Sequence, residues 1–253
     1  MDGYVEETYG AVWAEVYDHF HPDVDEAMID RLVELSSEGT VLELAIGTGR
    51  VALPVMNRGV EVSGIDISPA MIEKLRAKPG GGGIAVSIGD FADVPVDGTF
   101  RLVYLVANTL FALLDQDRQV RCFVNVAQHL EEGGRFVTET FYPDLGRFDR
   151  GQRLGTVALG IDQIRLEASR HDPVNQRTDS QIIGIGAGTV EFYPVSVRYA
   201  WPSEMDLMAR LAGLELEQRW GGWRREPFTA DSKLHISIYR KPASRLESPE
   251  AAS

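Results

Sequence analysis

The chain has little cysteine, an excess of acidic over basic residues and no long apolar run. Of its 253 residues, Cys122 alone is a cysteine, so no intramolecular disulfide can form and a reducing cytoplasm is the expected location. Lys and Arg total 25 against 38 Asp and Glu, and the resulting charge of -13 opposes binding to nucleic acid or to an anionic membrane. No apolar run approaches the roughly 18 residues of a membrane span, and the N-terminus has no apolar leader segment. We therefore expect a cytoplasmic monomer or homodimer that acts on a small molecule.

The most informative segment is an apolar strand that runs into a glycine turn and then a helix. Gly47 and Gly49 let the backbone pass close to a ligand, at the carboxyl end of a strand, where open α/β sheets bind cofactors. Residues 47–52 fit the pattern G-x-G-x-x-A, so a nicotinamide-dependent oxidoreductase is one hypothesis. Glu43, shortly before the first glycine, would repel a pyrophosphate but attract the sulfonium and ammonium groups of S-adenosylmethionine (SAM). The sequence therefore favours SAM as the cofactor.

Two further apolar runs also end in an acidic residue. These residues are Asp66 and Asp90, and in a parallel sheet they would lie along the same edge as Glu43. A carboxylate accepts hydrogen bonds, which suits Asp66 for the ribose hydroxyls and Asp90 for the adenine amine. Asp66 alternatively begins the helix that follows Ser68, and Asp90 alternatively is a solvated loop acid. Apolar neighbours complete the predicted cofactor contacts: Ile67, Met71 and Phe91. For Met71, plain core packing is the alternative.

Three segments resemble the class I SAM-dependent methyltransferase family: Glu-Leu-Ala-Ile-Gly-Thr-Gly-Arg (43–50), Gly-Ile-Asp-Ile-Ser-Pro-Ala-Met (64–71) and Gly-Asp-Phe (89–91). The resemblance covers roughly residues 15–141. Ala45 departs from it, since the family most often has a glycine there. By this resemblance, Tyr17 matches a residue that bonds the SAM carboxylate. Arg50 and Asn108 are further candidates for contact with the amino acid part of SAM.

Strand-like and helix-like segments alternate between residues 40 and 141, which predicts a doubly wound α/β fold with a mostly parallel sheet. The family resemblance implies seven strands. From about residue 153 to residue 200 the apolar residues follow a period of two, which predicts an inserted antiparallel β lid. We divide the chain into five parts: an N-terminal helical lid (1–38), a SAM-binding α/β core (39–150), the inserted β lid (151–200), the C-terminal part of the core (201–241) and a disordered tail (242–253).

Methyl transfer from an activated donor needs positioning above all, and a base where the acceptor arrives protonated. Glu139 is the first candidate for that base, because it ends an apolar strand beside the strand that leads to Asn108. A structural carboxylate that bonds a lid residue is the alternative. Tyr17 and His19, in the aromatic N-terminal segment, are the other catalytic candidates. The sequence has no His, Cys and Asp cluster at metal-ligand spacing, so we expect no metal site.

Aromatic residues in and after the inserted segment would suit a flat or sugar-like acceptor, although simple packing is the alternative: Tyr193, Tyr199, Trp201, Trp220 and Trp223. We predict a SAM-dependent methyltransferase that acts on an N, O or C nucleophile of a small, natural-product-like acceptor and releases S-adenosylhomocysteine (SAH). A nicotinamide-dependent oxidoreductase and a non-catalytic SAM-binding module are the alternatives.

Overall fold

The computed structural model describes residues 1–243, and within them two β-sheets and seven α-helices form the fold. The strands are β1 (Val41–Leu44), β2 (Val62–Asp66), β3 (Ala85–Ile88), β4 (Phe100–Leu105), β5 (Leu130–Phe141), β6 (Gln152–Leu159), β7 (Gln163–Asp172), β8 (Arg177–Gly186), β9 (Thr189–Arg198), β10 (Glu215–Trp220) and β11 (Leu234–Arg240). The helices are α1 (Glu6–Trp13), α2 (Tyr17–Phe20), α3 (Glu26–Ser36), α4 (Ala52–Asn57), α5 (Pro69–Ala77), α6 (Gln116–His129) and α7 (Pro202–Leu211). The tail predicted for 242–253 lies outside the described residues from position 244 onward.

The larger sheet has the strand order β3-β2-β1-β4-β5-β11-β10. Strands β1 to β5 pair in parallel, and β11 is antiparallel to both of its neighbours. The chain builds outward from β1 to β3 and then returns to place β4 on the other side of β1. The strand order therefore reverses between β1 and β4, at the position where open α/β sheets bind their ligands. The predicted doubly wound, mostly parallel seven-stranded sheet is confirmed.

The second sheet consists of four consecutive antiparallel strands, β6 to β9, and we call it the lid sheet. It follows β5, so the predicted antiparallel insertion is confirmed. Its last residue, Arg198, is buried and fixes the sheet to the helices of the core. The Arg198 guanidinium donates to Gln119 Oε1 on α6 at 2.6 Å and to Glu204 Oε1 on α7 at 2.7 Å. Because a broken buried ion pair is costly, this end of the lid sheet is firmly anchored.

Local sequence explains where several helices begin. Asp25 accepts a hydrogen bond from the first turn of α3, Ser68 does so for α5 and Asp115 for α6, which satisfies amide groups that a helix start leaves unpaired. Pro22 lies between α2 and α3, where the sequence predicts a break in the helical region.

Apolar side chains cover both faces of the larger sheet. Leu42 and Leu44 of β1 belong to a cluster on one face, and Val41 belongs to a cluster on the other. A third, smaller buried cluster joins three parts of the chain: Trp13, Ala14, Met71 and Tyr193. It packs residues 6–20, which we call the N-terminal segment, against α5 and the lid sheet, directly above the carboxyl edge of the parallel strands.

Candidate active site

The glycine turn after β1 depends on backbone conformations that favour glycine. Gly47 and Gly49 have φ angles of +55° and +75°. A Cβ atom at Gly49 would lie 2.3 Å from the Leu75 Cδ1 atom, so the turn and α5 touch through this glycine. Ala45 also has a positive φ, +53°, and the methyl group there costs about 1 kcal/mol relative to glycine. Ala45 therefore keeps the conformation of the turn, with some backbone strain.

Glu43 lies beneath this turn and is 4% exposed. Its Oε2 accepts a hydrogen bond from the Tyr104 hydroxyl of β4 at 2.9 Å. Burial raises the pKa of Glu43 to about 8, although the bonds from Tyr104 and from the Ala52 backbone act in the opposite direction. The sequence did not suggest Tyr104, because β4 is apolar and buried almost throughout and gives no sign of which hydroxyl meets a carboxylate. A nearby cation would favour the ionised form of the Glu43 carboxyl group and so lower its pKa.

Asp66, at the end of β2, is 7% exposed and holds two backbone amides. Its Oδ2 accepts from the Gly47 N–H at 2.7 Å, and its Oδ1 accepts from the Ser68 N–H at 2.8 Å. It therefore supports both the glycine turn and the start of α5. Each carboxylate oxygen can accept a second bond, so the side chain retains acceptor capacity for ligand hydroxyls.

Asp90, after β3, is bridged to the N-terminal segment through an arginine that the sequence did not suggest. Its Oδ2 accepts from Arg118 Nη2 at 2.7 Å and from Arg121 Nη2 at 3.4 Å, while the Ala92 N–H bonds its Oδ1. Arg118 also donates to Glu6 at the start of α1. Only the tertiary fold brings these three residues together, since they are far apart in the sequence.

Further contacts hold the N-terminal segment over the same edge. A Cβ atom at Gly10 would lie 2.4 Å from the Ser68 side chain, so α1 rests on the start of α5. Asp18 accepts from the Thr48 hydroxyl at 2.6 Å and pairs with Lys78 at 2.7 Å. Burial alone would raise the pKa of Asp18, but the bonds from Lys78 and Thr48 lower it. The segment thus covers the glycine turn through polar contacts.

Arg50 lies between the glycine turn and the N-terminal segment. Its Nη1 donates to the Asp23 carbonyl at 3.3 Å, but its buried Nε has no hydrogen-bond partner within residues 1–243. The positive charge of Arg50 acts to lower the pKa of Glu43, against the larger effect of burial, and it also acts to lower the pKa of Asp18. A buried, unpaired N–H of a guanidinium is costly, and an anionic ligand group would satisfy it.

The remaining predicted N-terminal and adenine contacts occupy different environments. Tyr17 is half-buried and its ring lies 4.8 Å from that of His21, whereas His19 is exposed on α2. Met71 is buried in the cluster with Trp13. Ile67 and Phe91 are half-buried, and Phe91 packs on the core cluster beside α6. The structure therefore brings Tyr17 under cover but leaves His19 at the surface.

Glu139, near the end of β5, has both carboxylate oxygens engaged. Oε2 accepts from the Ala107 N–H at 2.8 Å and Oε1 accepts from Trp223 Nε1 at 3.0 Å. Asn108 is held beside it, with its Oδ1 bonded to the Phe141 N–H at 2.6 Å, and its φ of +66° is left-handed. These contacts are those of a carboxylate that fixes the turn after β4. The indole of Trp223 was not foreseen as its partner.

Aromatic rings gather beyond the ends of β4 and β5. Tyr142 lies 5.5 Å from Trp201 and 5.7 Å from Phe228, measured between ring centroids. Tyr199 lies 6.1 Å from Trp201, and its hydroxyl is 3.0 Å from His171 Nε2. This group, which we call the aromatic wall, connects the core to the lid sheet at the edge that Glu139 and Asn108 occupy.

Two features are absent from residues 1–243. No group of three His, Cys, Asp or Glu side chains there is arranged to hold a metal ion, and no helix there is long and apolar enough to cross a membrane.

Comparisons with known proteins agree with this geometry. Residues 41–134 match a family model described as a methyltransferase domain. The chain is 31% identical over 203 residues to a cypemycin N-terminal methyltransferase from Streptomyces sp, which covers 80% of this chain and 83% of the relative. It is similar to the structure of the CcbJ methyltransferase from Streptomyces caelestis, with 39% identity, a TM-score of 0.88 and coverage of 95% of this chain and 100% of the other. A SAM-bound amino pentose methyltransferase from Micromonospora echinaspora, involved in calicheamicin biosynthesis, shares the fold at 19% identity, with a TM-score of 0.68 and coverage of 89% and 96%.

Proposed function

We propose, from the premise that the chain belongs to the class I SAM-dependent methyltransferase family, that it methylates an amine nitrogen of a small natural-product acceptor. The cofactor is SAM, and the enzyme is a methyltransferase. Membership in this family disfavours the oxidoreductase hypothesis that the pattern G-x-G-x-x-A suggested. The relative at 31% identity is named for methylation of a peptide N-terminus, which supports an amine acceptor here.

The observation that carries the cofactor part of the proposal is the set of unfilled bonding positions along the sheet edge, whereas the amine acceptor is supported by the relative's name. Arg50 offers a buried Nε–H without a partner, which fits the carboxylate of SAM. Asp66 retains lone pairs for the ribose hydroxyls, and Asp90 retains them for the adenine amine. Backbone atoms of the turn from Ala45 to Gly49 would approach the methionine part, and Ile67, Met71 and Phe91 would border the adenine. These assignments, with Tyr17 and Asn108 near the amino acid part, are our proposal.

When bound, SAM supplies a methyl group that its positive sulfur has already activated. The residues of this chain then have three tasks: to hold the acceptor in line, to exclude water and to receive a proton if the amine arrives as an ammonium. The aromatic wall would border the acceptor, and the N-terminal segment would cover the site. We assign Glu139 a positioning role, because its oxygens already bond Ala107 and Trp223. Tyr17 remains a proposed proton acceptor, and His19 is a weaker one because it is exposed.

Calorimetry with SAH tests the cofactor part of the proposal. Arg50→Gln should weaken SAH binding about 10-fold or more, since a charge-assisted bond to the carboxylate is lost. Arg58→Gln is the matched control, because Arg58 pairs with Glu26 and Asp30 on the surface, and it should bind SAH as the wild type does. Equal affinity of all three proteins would remove Arg50 from the site.

The acceptor class is tested by measuring SAH formation with a panel of amino sugars, peptides with free N-termini and matched hydroxyl compounds. We expect SAH to accumulate with amines and not with the hydroxyl analogues. Transfer to the hydroxyl compounds alone would overturn the amine assignment while leaving the methyltransferase itself intact.

A further inference from the structure

His171, near the end of β7, lies on the face of the lid sheet that is turned towards the core. The register places it in one row with Thr178 of β8 and Val197 of β9. Side chains two residues apart along a strand share a face, so this row lies on the same face as Tyr193, which packs against Trp13. Val197 itself packs against the core cluster. We call this side of the sheet the inner lid face.

Aromatic rings hold the imidazole of His171. The Phe148 ring stacks on it, with a centroid separation of 4.9 Å and an interplanar angle of 23°, and the Tyr199 ring lies 5.7 Å away. His171 Nε2 is 3.0 Å from the Tyr199 hydroxyl oxygen. Because Tyr199 belongs to the aromatic wall, His171 continues this wall onto the lid sheet.

His171 differs from the other four histidines of the chain. His129 and His235 have both ring nitrogens engaged, whereas His19 and His21 are exposed. His171 is half-buried, and its Nδ1 atom has no hydrogen-bond partner within residues 1–243. It therefore combines shelter from solvent with a ring nitrogen that is free to bond a ligand.

We propose that His171 takes the proton from the acceptor amine, with Tyr199 as the residue that orients the imidazole. This inference rests on the proposed function, because an amine that arrives as an ammonium has no lone pair with which to attack a methyl group until it loses a proton. An amine bordered by the aromatic wall would meet His171 at the lid end of that wall. Compared with the phenol of Tyr17, an imidazole accepts a proton without first losing one.

The proton moves from the acceptor nitrogen to His171 Nδ1 before the methyl group is transferred. The Nε2–H of the neutral imidazole donates to the Tyr199 oxygen, which leaves the Nδ1 lone pair free to receive the proton. The amine lone pair then forms the new N–C bond, while the electrons of the broken S–C bond stay on sulfur and give SAH. The methylated nitrogen retains the positive charge, and His171 releases its proton to solvent before the next turnover.

The surroundings of His171 suit both of its charge states. A phenol hydroxyl can accept or donate a hydrogen bond, and burial raises the pKa of Tyr199 above its ordinary value, so this partner stays neutral. Aromatic faces attract a cation, which favours an imidazolium between Phe148 and Tyr199. The two charged neighbours act in opposite directions: Asp172 follows His171 on β7, and the Arg147 guanidinium lies 5.0 Å from the centroid of the Phe148 ring.

The tautomer of His171 provides a first test that needs no acceptor. In the full-length protein labelled with ¹⁵N-histidine and saturated with SAH, long-range ¹H–¹⁵N spectra distinguish a protonated Nε2 from a protonated Nδ1, and His171→Gln identifies the signals. We expect the neutral ring to carry its proton on Nε2. A neutral ring with its proton on Nδ1 overturns the proposal, because no lone pair would then be free to receive the proton of the ammonium.

The pH dependence of the single-turnover methylation rate provides a second test, with glucosamine and triglycine as representatives of the amine panel. We expect His171→Gln to lower the rate about 100-fold or more at pH 7. The deficit should shrink to about 3-fold near pH 9.5, because amines of ordinary basicity, with pKa values of about 8 to 10, are then largely deprotonated in solution. A merely structural residue would lower the rate by the same factor at every pH.

Arg170→Gln is the matched control, because Arg170 precedes His171 on β7 but points to the opposite face, and its side chain is 70% exposed. It should keep the wild-type rate at every pH. A folded His171→Gln variant with the wild-type profile overturns this inference and leaves the amine assignment intact. If the wild type methylates the hydroxyl compounds and no amine, the amine assignment fails, and this inference fails with it.

Tyr199→Phe gives a second comparison if His171→Gln does not fold, because it removes only the hydroxyl that orients the ring. We expect a deficit of about 10-fold at pH 7 that also shrinks towards pH 9.5. A folded Tyr199→Phe variant with the wild-type profile would show that Tyr199 does not orient His171.

Discussion

The two halves of the carboxyl edge hold their acidic residues in different ways. In the half formed by β2 and β3, Asp66 and Asp90 each bond the amide two residues further along the chain. Each also bonds a more distant group, Gly47 for Asp66 and Arg118 for Asp90, and each keeps at least one lone pair available. In the half formed by β4 and β5, Glu139 bonds Ala107 and Trp223, which come from distant parts of the sequence. The first arrangement suits ligand binding that short motifs specify. The second suits a rigid support for an acceptor site.

The strongest test of this contrast is Glu139→Gln. Glutamine offers one acceptor oxygen, so one of the two donors at Ala107 and Trp223 would face an NH₂ group, and the turn that carries Asn108 would shift. We expect the single-turnover methylation rate to fall about 10-fold or more, with SAM affinity retained and a loss of unfolding free energy of about 1–3 kcal/mol.

The pH profile separates a positioning role from a base. A positioning residue lowers the rate equally across pH, whereas loss of a base removes the limb of the profile on which that base titrates. Glu215→Gln, on the exposed edge strand β10, is the control and should leave rate and stability unchanged. An unchanged rate for Glu139→Gln would show that Glu139 does not position the acceptor site.

A second test concerns Glu43. Burial raises the pKa of its carboxyl group from the ordinary value of 4.5 to about 8. Between these pH values the folded protein holds a proton that the unfolded chain has lost, so stability is present below about pH 4.5 and declines as the pH rises towards 8. In the ligand-free wild type, we expect the free energy of unfolding to drop on the order of 1–2 kcal/mol more between pH 6 and pH 8 than in Glu43→Gln.

Urea unfolding at the two pH values measures this difference. Added SAM should shrink it, because a cation near Glu43 favours the ionised carboxylate. Parallel pH dependence of the wild type and Glu43→Gln would mean that Glu43 is ionised in the ligand-free protein.

The smallest expected effect concerns Arg118, which bridges Asp90 to Glu6 of the N-terminal segment. Removal of the bridge should loosen the segment over the cofactor, so we expect Arg118→Gln to release SAH about 3–10-fold faster in stopped-flow measurements. Arg121→Gln is the matched control, since Arg121 reaches Asp90 but has Asp93 as its second partner, where Arg118 has Glu6 of α1. Equal SAH release rates in the two variants would show that the bridge from Asp90 to the N-terminal segment does not control release.

The glycine turn after β1 and the positions of the acidic residues beside it could be predicted from sequence because the rules for this turn are local; their contacts with SAM stay a prediction. A strand, a glycine turn and a helix cap follow one another within a few residues, so Glu43, Gly47, Gly49 and Asp66 fall at positions that the motif defines. The partners of Glu139 and Asp90 could not be predicted in this way. Trp223 and Arg118 reach these acids because whole helices and strands pack together. Neither the spacing of hydrophobic residues nor the turn sequences predict which side chains come into contact in this way.

The same limit explains the outcome for the lid. An alternating pattern from residue 153 to residue 200 predicts antiparallel strands, and the structure has them. It does not reveal which face the N-terminal segment covers, because the period of two is the same for a covered face and an uncovered one. The predicted division of the chain into five parts stays a prediction.

The anchoring of Arg198 has a consequence for the route by which molecules reach the sheet edge. The base of the lid sheet is anchored to α6 and α7 through a buried guanidinium. The N-terminal segment has no buried ion pair of this kind within residues 1–243; it packs through Trp13 and Ala14 and is otherwise held by polar contacts nearer the surface. We therefore expect the cofactor and the acceptor to enter and leave on the side of the N-terminal segment. That segment would open locally while the lid sheet stays in place. Hydrogen exchange would reveal this as early opening of residues 6–20 while residues 177–198 stay protected; simultaneous exchange of both regions would contradict it.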